Sequence, residues 1–188
     1  MLILVRHGRT DMNAAGCLQG RIDRPLDDVG EEQARRVAAA IGRPDVLIVS
    51  PLLRARQTAA VFGVQPVVDE RWQEIAYGDY EGKPLRDVSE AEWQIWRTDP
   101  HYAAPGGESL ADLDVRVRAA CVDLVERARD QTVVVVSHVS PIKAAVAWAL
   151  GVDILVSWRC QLDQAAVCRI SVNDRGPALR TFNEVLHG

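Results

Sequence analysis

The segment Thr132-Val133-Val134-Val135-Val136-Ser137 limits the fold of this chain more than any other. Valine branches at Cβ, which stiffens its side chain and favours extended backbone. A strand sends successive side chains to opposite faces of its sheet, so four valines in a row need an apolar cover on both faces. This run therefore calls for helices above and below a parallel sheet and excludes a sheet with one wet face. Leu2-Ile3-Leu4-Val5 and Asp45-Val46-Leu47-Ile48-Val49, the latter bounded by Pro44 and Ser50-Pro51, read as buried strands in the same way.

Helix signals fall between these runs. Asp27-Asp28 and Glu31-Glu32 place acids at a helix start, and the apolar pattern continues to Ile41 and stops at Gly42. Pro51 suits the first turn of a helix that carries Arg54 and Arg56 towards Gly63, and Val67-Val68 follows as a short strand. Ser109 starts a long amphipathic helix with Leu113, Val117, Cys121, Leu124 and Val125 on one face. Pro141 opens a helix that runs to Leu150 and closes at Gly151, and Ala165 to Val172 and Ala178 to Phe182 form late strands suited to an antiparallel edge. From Asp69 to Ser109 the pattern is irregular, with a short helix near Ser89 to Arg97; such segments often cover a site. Trp72, Trp93 and Trp96 read as packing within that cover, Trp148 and Trp158 as core, and His101 and His187 as exposed loop and tail residues. The expected fold is a three-layer α/β/α sandwich with a largely parallel central sheet, and no repeat or linker divides residues 1–188 into more than one domain.

Composition narrows the functional classes. A chain of 188 residues, 48% hydrophobic, has room for a full core, and a formal charge of −4 argues against a general nucleic-acid partner. No stretch approaches the roughly 18 apolar residues of a membrane span, and strand residues occupy the place of a signal peptide. Cys17, Cys121, Cys160 and Cys168 have neither metal nor disulfide-framework spacing, so the expected setting is a reducing cytoplasm.

Candidate chemistry lies at the strand ends. Arg6, His7 and Gly8 follow the first strand, Arg54 sits one turn into the helix after the second, and His138 follows the valine run. Parallel strands would bring these groups to one edge, where open α/β sheets bind ligands. Imidazole is a nucleophile near neutral pH and guanidinium grips oxyanions, so the set points to chemistry on phosphate. Residue type alone leaves the acid open among Glu70, Glu74, Asp79, Glu81 and Glu108, and Arg56 open beside Arg54.

Five blocks in order sharpen this reading: Leu4-Val5-Arg6-His7-Gly8-Arg9-Thr10-Asp11-Met12-Asn13, Ser50-Pro51-Leu52-Leu53-Arg54-Ala55-Arg56-Gln57-Thr58-Ala59, Trp72-Gln73-Glu74-Ile75-Ala76-Tyr77-Gly78-Asp79-Tyr80-Glu81-Gly82, Pro105-Gly106-Gly107-Glu108-Ser109 and Val136-Ser137-His138. Together they resemble the histidine phosphatase superfamily, the phosphoglycerate-mutase-like group. The resemblance implies that His7 is transiently phosphorylated, that Arg6 and Arg54 grip the phosphoryl group beside His138, and that Glu74 is the general acid. It further implies that Gly8, Thr10, Asn13, Gln19 and Gly20 line the substrate loops. Ser137-His138-Val139-Ser140-Pro141-Ile142-Lys143 departs from the commoner Ser-His-Gly-Gly pattern and is similar to acid phosphatase and α-ribazole phosphatase-like members. There Val139 narrows and Lys143 charges the pocket, and Arg9 adds a cation at its rim.

The implied chemistry needs no cofactor. Two guanidiniums and the His138 imidazolium cancel the charge of a phosphate monoester, while His7 attacks as a neutral ring with one nitrogen held as a donor by a loop carbonyl. Glu74 protonates the leaving group where its surroundings keep the carboxyl protonated, and Trp72, Tyr77 and Tyr80 are the apolar neighbours on offer. No metal is expected, since histidines and cysteines lack ligand spacing and two arginines repel a dication. Glu108 is expected to cap or orient the helix after Ser109. The expected partner is a small phosphorylated substrate, with a homodimer left open. Phosphatase is the favoured activity, against a mutase and a non-catalytic phospholigand-binding module.

Overall fold

Among the described residues six strands form one sheet: β1 (Leu2–Arg6), β2 (Val46–Val49), β3 (Val67–Val68), β4 (Val133–Ser137), β5 (Val167–Asn173) and β6 (Gly176–Glu184), in the spatial order β3-β2-β4-β1-β5-β6. The computed structural model describes residues 1–186, so His187 lies outside the described residues. Neighbours among β3, β2, β4 and β1 pair in parallel, and β5 and β6 add the antiparallel edge.

The layers follow from strand alternation. Ile3, Val5, Leu47, Val49, Val134 and Val136 face Val37 of α2 (Asp28–Ile41) and Ala55 and Ala59 of α3 (Leu53–Ala60). Residues of the other parity, Leu2, Leu4, Ile48, Val133 and Val135, face Leu113, Val117 and Cys121 of α5 (Leu110–Asp130) and Ile142 and Val146 of α6 (Val139–Leu150). The four valines are fully buried, as an uninterrupted apolar strand requires.

Helix starts differ from expectation at two prolines. Pro51 and Leu52 form the bend after β2, so α3 begins at Leu53. In α6 the helix begins at Val139 and Pro141 takes its third position, where an N–H has no intrahelical partner to lose. Asp27 and Ser109 cap α2 and α5 as their sequences suggest, accepting from Gly30 N and Asp112 N. A four-residue helix, α1 (Asp11–Ala14), follows the loop after β1.

The cover between β3 and α5 consists of short 3-10 turns and α4 (Glu90–Thr98), which Ser89 and Glu92 start with a capping box. Trp96 contacts Trp93 and Tyr80 at 5.2 Å between ring centroids, within a small separate core. Trp72 does not join this cluster. Its carbonyl accepts from Ser137 Oγ at 2.7 Å, which draws the ring fully into the main core below α5. Trp158 is shared: it packs on the main core and meets Trp93 at 6.0 Å. Trp148 is half-buried against the main core, and His101 is exposed. No helix among the described residues is long and apolar enough to cross a membrane.

Candidate active site

Sheet register brings the site together. Val136 is level with Val5 on one side and Val49 on the other, so His7, His138 and Ser50 lie one or two residues further along three adjacent strands. The ladder extends into them through His7 N to Ser137 O at 3.0 Å and Ser50 N to Val136 O at 3.1 Å. The two imidazoles stand 5.0 Å apart between centroids. Arg54, in the first turn of α3 and 1% exposed, places its Nε 3.2 Å from His7 Nε2 and 3.2 Å from His138 Nδ1. Its Nη1 and Nη2 donate to the carbonyls of Ile22 and Gly20 at 3.0 and 2.7 Å.

These contacts determine both tautomers. A guanidinium only donates, so His7 Nε2 and His138 Nδ1 must carry lone pairs. His7 Nδ1–H then donates to the carbonyl of Gly8 at 2.7 Å, and His138 Nε2–H to Ser50 Oγ at 2.7 Å. Burial holds both rings well below the ordinary histidine pKa, reinforced for each by the Arg54 charge, so both are neutral at pH 7. This corrects the expected His138 imidazolium: with Arg54 already between the rings, a third buried cation is unfavourable. Burial also lowers Arg54, to about 10 against the pull of Glu74, which leaves it charged. Arg6 donates from Nη1 to Leu162 O at 2.6 Å, while its buried Nε has no partner.

Glu74 reaches the site as a helix cap supplied from a distance. His138 occupies the N-cap position of α6, but its ring is taken by Arg54 and Ser50 and makes no cap bond. Glu74 fills that place. Its Oε2 accepts from Val139 N at 3.1 Å, and its Oε1 from Ser140 N at 3.1 Å and Ile75 N at 2.9 Å. The Glu74 carbonyl accepts from Arg21 Nε at 3.3 Å and Arg116 Nη2 at 3.5 Å, and Glu108 pairs with both arginines. Glu108 thereby ties α5 to the Glu74 segment. Of the apolar neighbours expected around Glu74, only Tyr77 lines the same cavity; Trp72 is core, and the Tyr80 hydroxyl bonds to Glu92.

A cavity of about 220 Å³ is lined by Arg6, His7, Gln19, Gly20, Arg54 and Glu74, with Tyr77 and Val139 on one wall. Gly8, Thr10 and Asn13 are not among its lining residues. A Cβ on Gly8 would lie 2.3 Å from the backbone oxygen of Gly30, so close backbone approach explains the glycine, whose N–H donates to Thr58 Oγ1 at 3.1 Å. Thr10 and Asn13 form the capping box of α1, and Thr10 Oγ1 holds Gln19 at 2.9 Å. Gly20 is left-handed at φ +51°, and a Cβ there would strike Glu81. Arg9 pairs with Asp27 at 2.8 Å instead of charging the rim, and Arg56 is exposed on the outside of α3. Glu70, Asp79, Glu81 and Glu108 do not line the cavity. Lys143 lines an adjoining chamber that shares Tyr77 and Val139 with this one.

Sequence reasoning missed Ser50, Thr58, Arg21 and Arg116. Ser50 alone had a signal, its place at the end of a buried strand beside the one that ends in His138. Chemically, the cavity combines a ring nitrogen whose lone pair meets only an Arg54 N–H shared with His138, two buried cations and a carboxylate, a set suited to a phosphate ester. Among the described residues no three His, Cys, Asp or Glu side chains are grouped to hold a metal ion.

The model of the histidine phosphatase superfamily (branch 1) matches residues 2–185. A putative phosphoserine phosphatase 2 of Hydrogenobacter thermophilus is 32% identical over 196 residues, covering 99% of this chain and 96% of the relative. A glucosyl-3-phosphoglycerate phosphatase of Mycolicibacterium vanbaalenii is 34% identical over 169 residues, covering 81% and 75%. Among solved structures, a mutant phosphoserine phosphatase of Entamoeba histolytica in complex with phosphoserine superposes with a TM-score of 0.90 at 28% identity, over 98% of this chain and 96% of the other. The chain thus belongs to the histidine phosphatase superfamily, branch 1, and is a histidine phosphatase.

Proposed function

We propose that residues 1–188 act as a single-domain, metal-independent phosphomonoesterase that hydrolyses a small phosphorylated metabolite through a phosphohistidine on His7. The observation that carries this is the His7 tautomer. With Nδ1–H held by the Gly8 carbonyl, the Nε2 lone pair lies at the cavity beside two guanidiniums. Arg6 and Arg54 take the phosphoryl oxygens, and His138 lies beside them through Arg54. His7 Nε2 attacks phosphorus, the N–P bond forms and the P–O ester bond breaks. Glu74, carrying a proton on Oε2 in the substrate complex, gives it to the departing oxygen and becomes the carboxylate. Its Oε2 accepts one N–H where Oε1 accepts two, so Oε2 has the spare lone pair for that proton. Water then attacks the phosphohistidine, gives its proton to Glu74, and frees His7 with inorganic phosphate.

Hydrolysis is favoured over transfer because the relatives matched over 99% of the chain are named phosphoserine phosphatases, whereas those named probable phosphoglycerate mutase match 92% and 91%. The phosphatase names support a small phosphorylated substrate. A pure binding module would have no use for a carboxylate beside a lone-pair imidazole. The cysteine spacing supports a reducing, cytoplasmic setting. In the decisive experiment, acid-quenched protein is assayed for phosphohistidine during turnover of p-nitrophenyl phosphate. His7→Ala should lose the phosphoenzyme and about 10³-fold or more in turnover, while EDTA leaves the wild type unaffected. Hydrolysis by His7→Ala at the wild-type rate refutes the assignment.

A further inference from the structure

Beyond the Tyr77 and Val139 wall lies a second, smaller chamber, about 70 Å³, whose sides are Ile75, Trp96, Leu110 and Trp158. Lys143, Ser140 and Ser157 are the polar residues of its lining, beside Tyr77. Lys143 projects from the second turn of α6, half-buried, and the ion pairs of the described residues, from Arg9–Asp27 to Arg169–Glu184, do not include it. Glu74, the carboxylate whose field reaches it, is already occupied by three backbone N–H groups. Burial lowers the Lys143 pKa, with Cys160 and then Glu74 acting the other way, and neither forms an ion pair with it.

The chamber is placed to receive a leaving group. Glu74 stands at the boundary, because its neighbour Ile75 lines the chamber while Glu74 itself lines the catalytic cavity. An alkoxide oxygen protonated by Glu74 would carry its organic remainder past Tyr77 and Val139 into this space. Arg6 and Arg54 already neutralise the phosphoryl group, so Lys143 is surplus to that task. A lone cation at the end of an apolar slot selects an anion on an apolar stem. We propose that Lys143 is a specificity-determining residue that receives a carboxylate borne by the leaving alcohol, with an apolar or aromatic spacer lying against Trp96 and Trp158. The substrate class is then a phosphorylated hydroxy acid. The proposal rests on the phosphomonoesterase reading above.

The test compares kcat/KM for 3-carboxyphenyl phosphate and phenyl phosphate, esters with similar leaving-group acidity. In the wild type the carboxylated ester should be favoured by about tenfold or more, the usual effect of a hydrogen bond to a charged group. Lys143→Met should bring the ratio near one, Lys143→Arg should restore most of it, and Lys143→Glu should transfer the preference to 3-(aminomethyl)phenyl phosphate. The ratio is an internal reference, since a general folding defect lowers both rates together. An equal ratio in wild type and Lys143→Met overturns the subsite and leaves the phosphatase reading intact. Should the wild type hydrolyse neither ester, the phosphatase reading falls. Calorimetric titration of both esters into wild type and Lys143→Met then decides the subsite: a carboxylate preference lost in the variant supports it, and equal affinities overturn it.

Discussion

Glu74→Gln should injure the protein in two separable ways, because Glu74 caps a helix and stands at the reacting oxygen. The carboxylate accepts N–H bonds from Ile75, Ser140 and Val139. Glutamine has one acceptor oxygen, which at the Oε1 position keeps two of the three. Its NH₂ then faces the N–H of Val139, donor against donor. Leaving a buried donor unsatisfied costs about 1–3 kcal/mol. Removing negative charge from the start of α6 adds roughly 0.3–1 kcal/mol. A loss of about 1.3–4 kcal/mol lowers Tm by roughly 3–16 °C in a chain of this size. Guanidinium unfolding should show a lower midpoint with unchanged slope. Kinetically, hydrolysis of an alkyl phosphate should fall more than that of p-nitrophenyl phosphate, whose leaving group needs little protonation. A Tm within 1 °C of wild type refutes the cap, and equal losses on both substrates refute the proton donor.

Acidity and loop packing offer two further tests. His7 and His138 are held neutral in the folded chain, whereas the unfolded chain protonates both near pH 6.5, so the unfolded state binds more protons as pH falls. Their stabilising contribution is therefore complete above about pH 6.5 and lost below it, at up to about 1.4 kcal/mol per pH unit for each ring. Denaturation midpoints between pH 6 and 5 should show His138→Asn with a pH slope smaller by about one proton, and identical slopes would falsify this. Gly8→Ala should destabilise by about 3 kcal/mol or more, since the new methyl meets backbone at Gly30 that no rotamer can relieve. Urea titration checks this, and a loss under 1 kcal/mol contradicts the close approach.

What the sequence disclosed was local or periodic. Four valines implied two covering layers, strand ends marked His7 and His138, and Asp27, Ser89 and Ser109 announced helix starts. Contacts that depend on strand order left no such trace. Ser50 meets His138 only because β2 lies beside β4, and Glu74 caps α6 from 65 residues away because the chain after Trp72 crosses the end of β4. The same crossing put Trp72 in the core, though its neighbours in sequence belong to the cover. The charge of His138 was misread for a related reason: residue type shows that it can be protonated, but not that Arg54 already stands against it.

One N–H of Arg54 serves two imidazoles, which makes His7, Arg54 and His138 a thermodynamic unit. Removing Arg54 frees both rings to change tautomer, and removing either ring leaves the N–H wholly to the other. Single substitutions among the three therefore share one loss, and their effects on turnover sum to more than the triple variant loses. A change in any member of the trio thus alters what the other two contribute.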